Sequence, residues 1–181
     1  MSYVELRARS AFSFGDGAVT PEALVARAAE YGYAALGLTD TADLGGVIRF
    51  VLEAERQGLK PIVGAELRVD GYPVAFLARN EEGYRNLAAL VTRSRVGDLR
   101  VWEDGSAVRP RGRPSLSFAE VEARSGGLHV LTGPATGELA SLIRARRPEE
   151  AAYALDRWRE VFAGRIAVEV QLHHVSGEEA A

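Results

Sequence analysis

The chain has 181 residues, 47% of them hydrophobic and 26% charged, with a formal net charge of −3. That length supports one domain with a real core, and the balance excludes a disordered chain. No apolar run approaches the roughly 20 residues of a membrane span, the absence of cysteine excludes disulfides and thiolate metal sites, and the net charge exerts no global pull toward nucleic acid.

Tyr3 to Arg7 reads as a first strand. The start lacks the basic-then-apolar design of a signal peptide, which together with the missing cysteines predicts a cytoplasmic protein. Thr20 can cap a helix with Pro21 and Glu22 in its first turn, carrying Leu24, Val25, Ala28 and Ala29 and ending at Gly32. Ala34 to Thr39 suits a buried parallel strand. Leu44, Val47, Ile48, Val51 and Leu52 recur at helical spacing until Gly58. Pro61 to Leu67 gives a third strand and Pro73 to Ala78 a fourth. Asn80 caps a helix with Tyr84, Leu87 and Val91.

At about 93–114 turn signals and arginines break the rhythm, which predicts an excursion such as a hairpin. A short helix near Phe118–Ala123 and a strand at Leu128–Thr132 follow. Two helices over roughly 137–145 and 149–162 precede a last strand, Ile166–Val170. Alternating strands and helices predict an α/β fold with right-handed parallel crossovers. No repeat or linker divides residues 1–181, so a single domain is expected.

The polar candidates gather at one end of this arrangement. Residues two apart in a strand point the same way, so Arg7 and Arg9 share a face. Asp16 lies on the following loop, Asp40 and Thr41 end the second strand, and Glu66 lies near the end of the third. In a parallel α/β barrel those strand ends converge on one mouth.

Several stretches resemble a known family: Tyr3 to Gly17, Thr39-Asp40, Gly64 to Leu67, Asn80 to Leu87, Arg157 to Glu160, and Glu169 to His173. They are similar to the N-terminal PHP (polymerase and histidinol phosphatase) domain of bacterial DNA polymerase III alpha subunits, most like the error-prone, translesion branch. The resemblance implies a distorted barrel of about seven βα units with its centre at the C-terminal strand ends. It also implies that this chain stops before the final strands and the last metal ligands. The barrel would be incomplete, and Ile166–Val170 or a neighbour would form an edge covered by another copy, a rearranged strand or loops.

The resemblance further implies metals bound by histidines and carboxylates, activating water for phosphoester hydrolysis. Here Arg7 and Arg9 occupy the His-x-His places, Thr41 stands for a histidine, Pro73 for another, and Pro134 for a cysteine or histidine. Asp16 and Glu66 match the family, as does His173. A guanidinium cannot ligate a metal, and a zinc site wants three or four protein ligands. The expectation is a vestigial centre (Arg7, Arg9, Asp16, Asp40, Thr41, Glu66 and His173) with no catalysis and no cofactor. In it, Arg7 and Arg9 would pair with Asp16, Glu66 and Asp40 in place of metals. The simpler alternative is that both arginines reach solvent at the rim.

The function expected is structural, supporting a polymerase module or docking replication or translesion proteins. Zinc or manganese held by Asp16, Glu66 and His173, with Asp40 nearby, belongs to the alternative, a phosphoesterase or proofreading nuclease. A third possibility is phosphate held by Arg7 and Arg9 without catalysis. His129 reads as a packed strand residue, and His174 as surface. Arg93, Arg95, Arg100, Arg109, Arg111 and Arg113, with Trp102 as a stacking platform, form the one candidate DNA contact. Asp98, Glu103 and Asp104 interrupt its charge.

Overall fold

Strand β1 (Glu5–Ala8) runs through a loop into helix α1 (Pro21–Glu30) in the computed structural model, which describes residues 3–97, 100–101, 107–108 and 114–171. Thr20 Oγ1 accepts from the Ala23 amide at 3.3 Å, and Pro21 sits where a missing N–H costs nothing. Strand β2 (Ala35–Thr41), helix α2 (Val47–Gln57) and strand β3 (Lys60–Val69) follow, and β1, β2 and β3 pair in parallel as expected. Leu36 and Leu38 on the outer face of β2 pack with Val25, Ala28, Phe50 and Ala54 beneath the two helices. Gly37 lets β1 lie close: a Cβ there would stand 2.5 Å from the Leu6 carbonyl oxygen.

The next strand departs from expectation. Strand β4 (Tyr72–Ala78) is antiparallel to β3, so no crossover joins them. The cause is Asp70-Gly71, with φ of 48° and 90°, left-handed at both central positions of a two-residue hairpin. That is the type I′ geometry that Asp-Gly favours. A parallel return needs a dozen or more residues, and two are available between Val69 and Tyr72.

Helix α3 (Glu81–Val96) is capped by Asn80, whose Oδ1 accepts from the Gly83 amide at 2.9 Å. Helix α3 runs to Val96, past the expected start of the excursion at about 93, and the described part of that stretch holds the antiparallel pair β5 (Arg100–Val101) and β6 (Ala107–Val108). Helix α4 (Phe118–Glu122) begins with a reciprocal cap between Ser117 and Glu120. Then come β7 (Leu128–Leu131), α5 (Glu138–Arg144), α6 (Pro148–Val161) and a short β8 (Ile166–Ala167). Its pairing ends at Ala167, three residues before the expected end of that strand.

The main sheet has the order β1-β2-β3-β4-β7-β8. Its outer face supplies Ala65, Leu67, Val74, Phe76, Leu128 and Val130 to the main core, where Leu87, Leu90, Trp158 and Phe162 meet them from the helices. Trp158 lies edge-on to Phe118, with centroids 4.9 Å apart. Full burial of one such side chain stabilises by about 2 kcal/mol. The inner face carries the smaller cluster Ala75, Leu77 and Leu131, with Leu6 and Ile62 packed against it. Leu6 stands on the edge strand β1, so the sheet must curl to bring it there. The result is a partial barrel whose mouth lies at the C-terminal ends of β1, β2, β3 and β7.

Candidate functional site

A bulge aims β1 into that mouth. Glu5 pairs with Leu36 and Ala8 with Leu38, so three steps on β1 match two on β2. Leu6 therefore turns toward the inner apolar cluster, Ala8 packs outward under the helices, and Arg7 and Arg9 both face inward. The shared face expected from alternation holds.

The two arginines converge on one carboxylate. Arg7 Nη2 donates to Glu66 Oε2, and Arg9 Nη2 donates to the same oxygen at 2.5 Å. The other arm of Arg7 donates to Glu169 Oε2 at 2.5 Å, and Arg9 Nη1 lies 3.5 Å from Asp16 Oδ2. The Arg7 side chain is 5% exposed, Arg9 32% and Asp16 55%. The buried Glu66 and the half-buried Glu169 thus face two guanidinium groups, with Asp16 adding charge at the rim. Arg7 does not reach solvent, contrary to the simpler alternative; Arg9 partly does.

Asp40 belongs to a different network. Its Oδ1 accepts from the Ser10 amide at 2.7 Å and from Ser13 Oγ at 2.6 Å, and its Oδ2 accepts from Ser10 Oγ at 2.7 Å. Ser13 Oγ in turn accepts from the Thr41 amide at 3.0 Å. Ser10, Ser13 and Asp40 are all buried. The carboxylate expected to partner arginines instead ties the loop after β1 to the end of β2. Four backbone bonds, including Ala11 N to Val19 O at 2.7 Å, complete that loop.

Thr41 stands opposite Glu66 in the β2–β3 register, and its Oγ1 is buried without a hydrogen-bond partner. Pro73 pairs with Arg68 in β4, and the Pro134 carbonyl accepts from the Gly137 amide at 2.7 Å beyond β7. Glu169 belongs to the stretch Glu169 to His173 that resembles the family, and it is not among the expected site residues. The one local signal for it is alternation after Ala167, which turns Glu169 and Gln171 inward together. His173 and His174 lie outside the described residues.

The remaining candidates stand away from the mouth. His129 pairs with Leu77 near the start of β7. Burial pushes its imidazole pKa below the ordinary value, and the charges of Arg79 and Arg165 push it the same way. Arg93 Nε donates to Glu120 at 2.5 Å, bracing α3 against α4. Arg95 Nε donates to the Ala42 carbonyl at 2.5 Å and Nη2 to Asp43, bracing α3 against the loop after β2. These two arginines are engaged within the fold. The Arg100 side chain, Trp102, Arg109, Arg111 and Arg113 lie outside the described residues.

Among the described residues the donor set does not fit a divalent cation. A metal on Glu66 Oε2 would stand beside two guanidinium groups already bonded to that oxygen. Among the described residues, no group of three or more histidines and carboxylates is arranged to hold an ion.

Known proteins match this sequence and fold. The PHP domain profile aligns with residues 5–173. An error-prone DNA polymerase from Anaeromyxobacter is 40% identical over 98% of the chain, and one from Symbiobacterium thermophilum is 37% identical over 99%. The chain spans only 15% and 17% of those relatives' own lengths. Among solved structures, one from Bifidobacterium adolescentis, named as a metal-dependent phosphoesterase, superposes with a TM-score of 0.57 at 14% identity, covering 94% of this chain and 87% of that one. An amidohydrolase from Chromobacterium violaceum, with bound sulfate and no metal, gives 0.53 at 17% identity, covering 97% and 88%. These two likenesses concern the fold. With its curled α/β sheet and a family match running from β1 to beyond β8, the chain belongs to the PHP domain family.

Proposed function

We propose that this domain does not hydrolyse phosphoesters and serves a structural role in an error-prone DNA polymerase, supporting the polymerase module or docking a replication or translesion partner. One observation carries the reading: Arg7 and Arg9 occupy the Glu66 oxygen that a catalytic metal would need. Phosphoester hydrolysis at such a centre requires a bound cation to activate water and to neutralise developing charge. Here the charge of Glu66 is already matched by fixed guanidinium groups, which activate no water. The polymerase relatives supply the context, since they match over nearly the whole chain.

The competing reading takes its support from the fold neighbour named as a metal-dependent phosphoesterase. It would use zinc or manganese on Asp16, Glu66 and His173. A single experiment separates the two. The chain, purified without chelator, is analysed for metals and assayed on a generic phosphodiester and on single-stranded DNA with added manganese or zinc. No stoichiometric metal and no turnover are expected. Stoichiometric metal with turnover abolished by Glu66→Gln would overturn the proposal.

A further inference from the structure

We infer that Arg7 is a clasp that closes the curled sheet at its mouth, holding Val168–Gln171 by charge where strand pairing has ended. This holds whether or not the domain hydrolyses phosphoesters. Among the described residues, strands β1 and β8 are the two outermost strands of the sheet and share no ladder. Yet Arg7 Nη1 on β1 lies 2.5 Å from Glu169 Oε2, two residues beyond β8. A side chain joins what the backbone does not.

The segment is otherwise lightly held. The β7–β8 ladder ends at the Leu131–Ala167 pair, where the Thr132 amide donates to the Ala167 carbonyl at 3.1 Å. The next rung comes from a side chain, the Glu169 amide donating to Thr132 Oγ1 at 3.2 Å. Glu169 then faces inward to Arg7, and Gln171 Nε2 donates to Glu169 Oε1. Val168 and Val170 point the other way and are 60% and 80% exposed. Apolar burial therefore contributes little to docking this segment, because its apolar side chains face water. Among the described residues, one hydroxyl and one guanidinium fasten it.

The clasp is in turn anchored. Arg7 is fixed by Glu66 on β3, deep in the ladder, so the chain of contacts runs Glu169–Arg7–Glu66 from the last segment through the first strand to the third. Such a strap can open at its own free energy, below that of global unfolding. Its opening should not disturb the core beneath α3 and α6, which shares none of its bonds.

Native-state hydrogen exchange on the whole chain tests this, with Glu169→Gln as the main variant, since it keeps size and shape and removes the charge. Within residues 166–171 the hydrogen-bonded Glu169 amide is expected to exchange about tenfold to a hundredfold faster, the range for losing a hydrogen bond to a charged group. Protection at β3 and β4 should be unchanged. In the variant Arg7→Gln the same segment should loosen, and adding Glu169→Gln to it should loosen that segment no further. If Arg7→Gln fails to fold, Glu169→Gln decides alone. Unchanged exchange at 166–171 in Glu169→Gln overturns the clasp, as does acceleration spread evenly over the whole sheet.

Discussion

The Arg7 guanidinium rests on Oε2 of Glu66, the same carboxylate oxygen that accepts from Arg9. Two cations on one buried oxygen are tolerable because Arg7 also meets Glu169 and Arg9 lies toward Asp16. The arrangement makes the two arginines unequal. Arg7→Met leaves Glu66 short of one partner and Glu169 without its cation, and loss of one side of a buried pair costs about 3–5 kcal/mol. Arg9→Met should cost about 1 kcal/mol or less, because Arg9 is a third exposed and Asp16 is more exposed still. Urea unfolding of the two variants checks the ranking, and equal losses would contradict it.

Thermal stability should not respond to divalent cations. A ligand that binds only the folded state raises stability by RT ln(1 + [L]/Kd), about 2.7 kcal/mol at a hundredfold excess over Kd. With the Glu66 oxygen taken by guanidinium groups, no such rise is expected with millimolar manganese or micromolar zinc, and no fall with a chelator. Differential scanning fluorimetry reads this directly. A rise of several degrees with either metal would revive the phosphoesterase reading.

Asp40 should prove structural and independent of the arginines. Asp40→Ala removes the acceptor of the Ser10 amide and of two buried hydroxyls, one of which receives the Thr41 amide. Stranded buried donors cost roughly 1–3 kcal/mol each, so a total loss of about 3 kcal/mol is expected after local relaxation. Because Asp40 shares no hydrogen bond with Arg9 among the described residues, Asp40→Ala and Arg9→Met should add to within ~0.5 kcal/mol in a double-mutant cycle. A larger coupling would return Asp40 to the arginine cluster.

Much of this was legible in the sequence, for identifiable reasons. Thr20 and Asn80 cap helices through bonds spanning three residues, so short motifs suffice to place them. The face shared by Arg7 and Arg9 follows from strand alternation, and their meeting with Glu66 follows from parallel strands ending together. The Asp70-Gly71 hairpin was equally local, but the rhythm of strands and helices suggested crossovers throughout and concealed it. Glu169 was not legible. It reaches Arg7 across 162 positions because the sheet curls, and curl is a property of packing that no local window carries. Asp40 misled for a related reason: at a strand end a carboxylate serves a site or a loop equally well, and only the buried serines decide.

Acid should weaken the fold through His129. Burial, with the charges of Arg79 and Arg165 added to it, holds its folded pKa below the ordinary 6.5. The unfolded chain therefore takes up a proton first as pH falls, and stability rises with pH wherever the unfolded state binds more protons. The contribution of His129 is full above 6.5 and declines as pH drops from there through the lower folded value. His129→Asn cannot titrate in this window, so its unfolding free energy should fall less steeply between pH 7 and pH 5 than that of the parent chain. Urea titrations across that range provide the comparison. Parallel pH profiles for parent and variant would show that His129 has the same proton affinity folded and unfolded, and would remove it as a source of acid sensitivity.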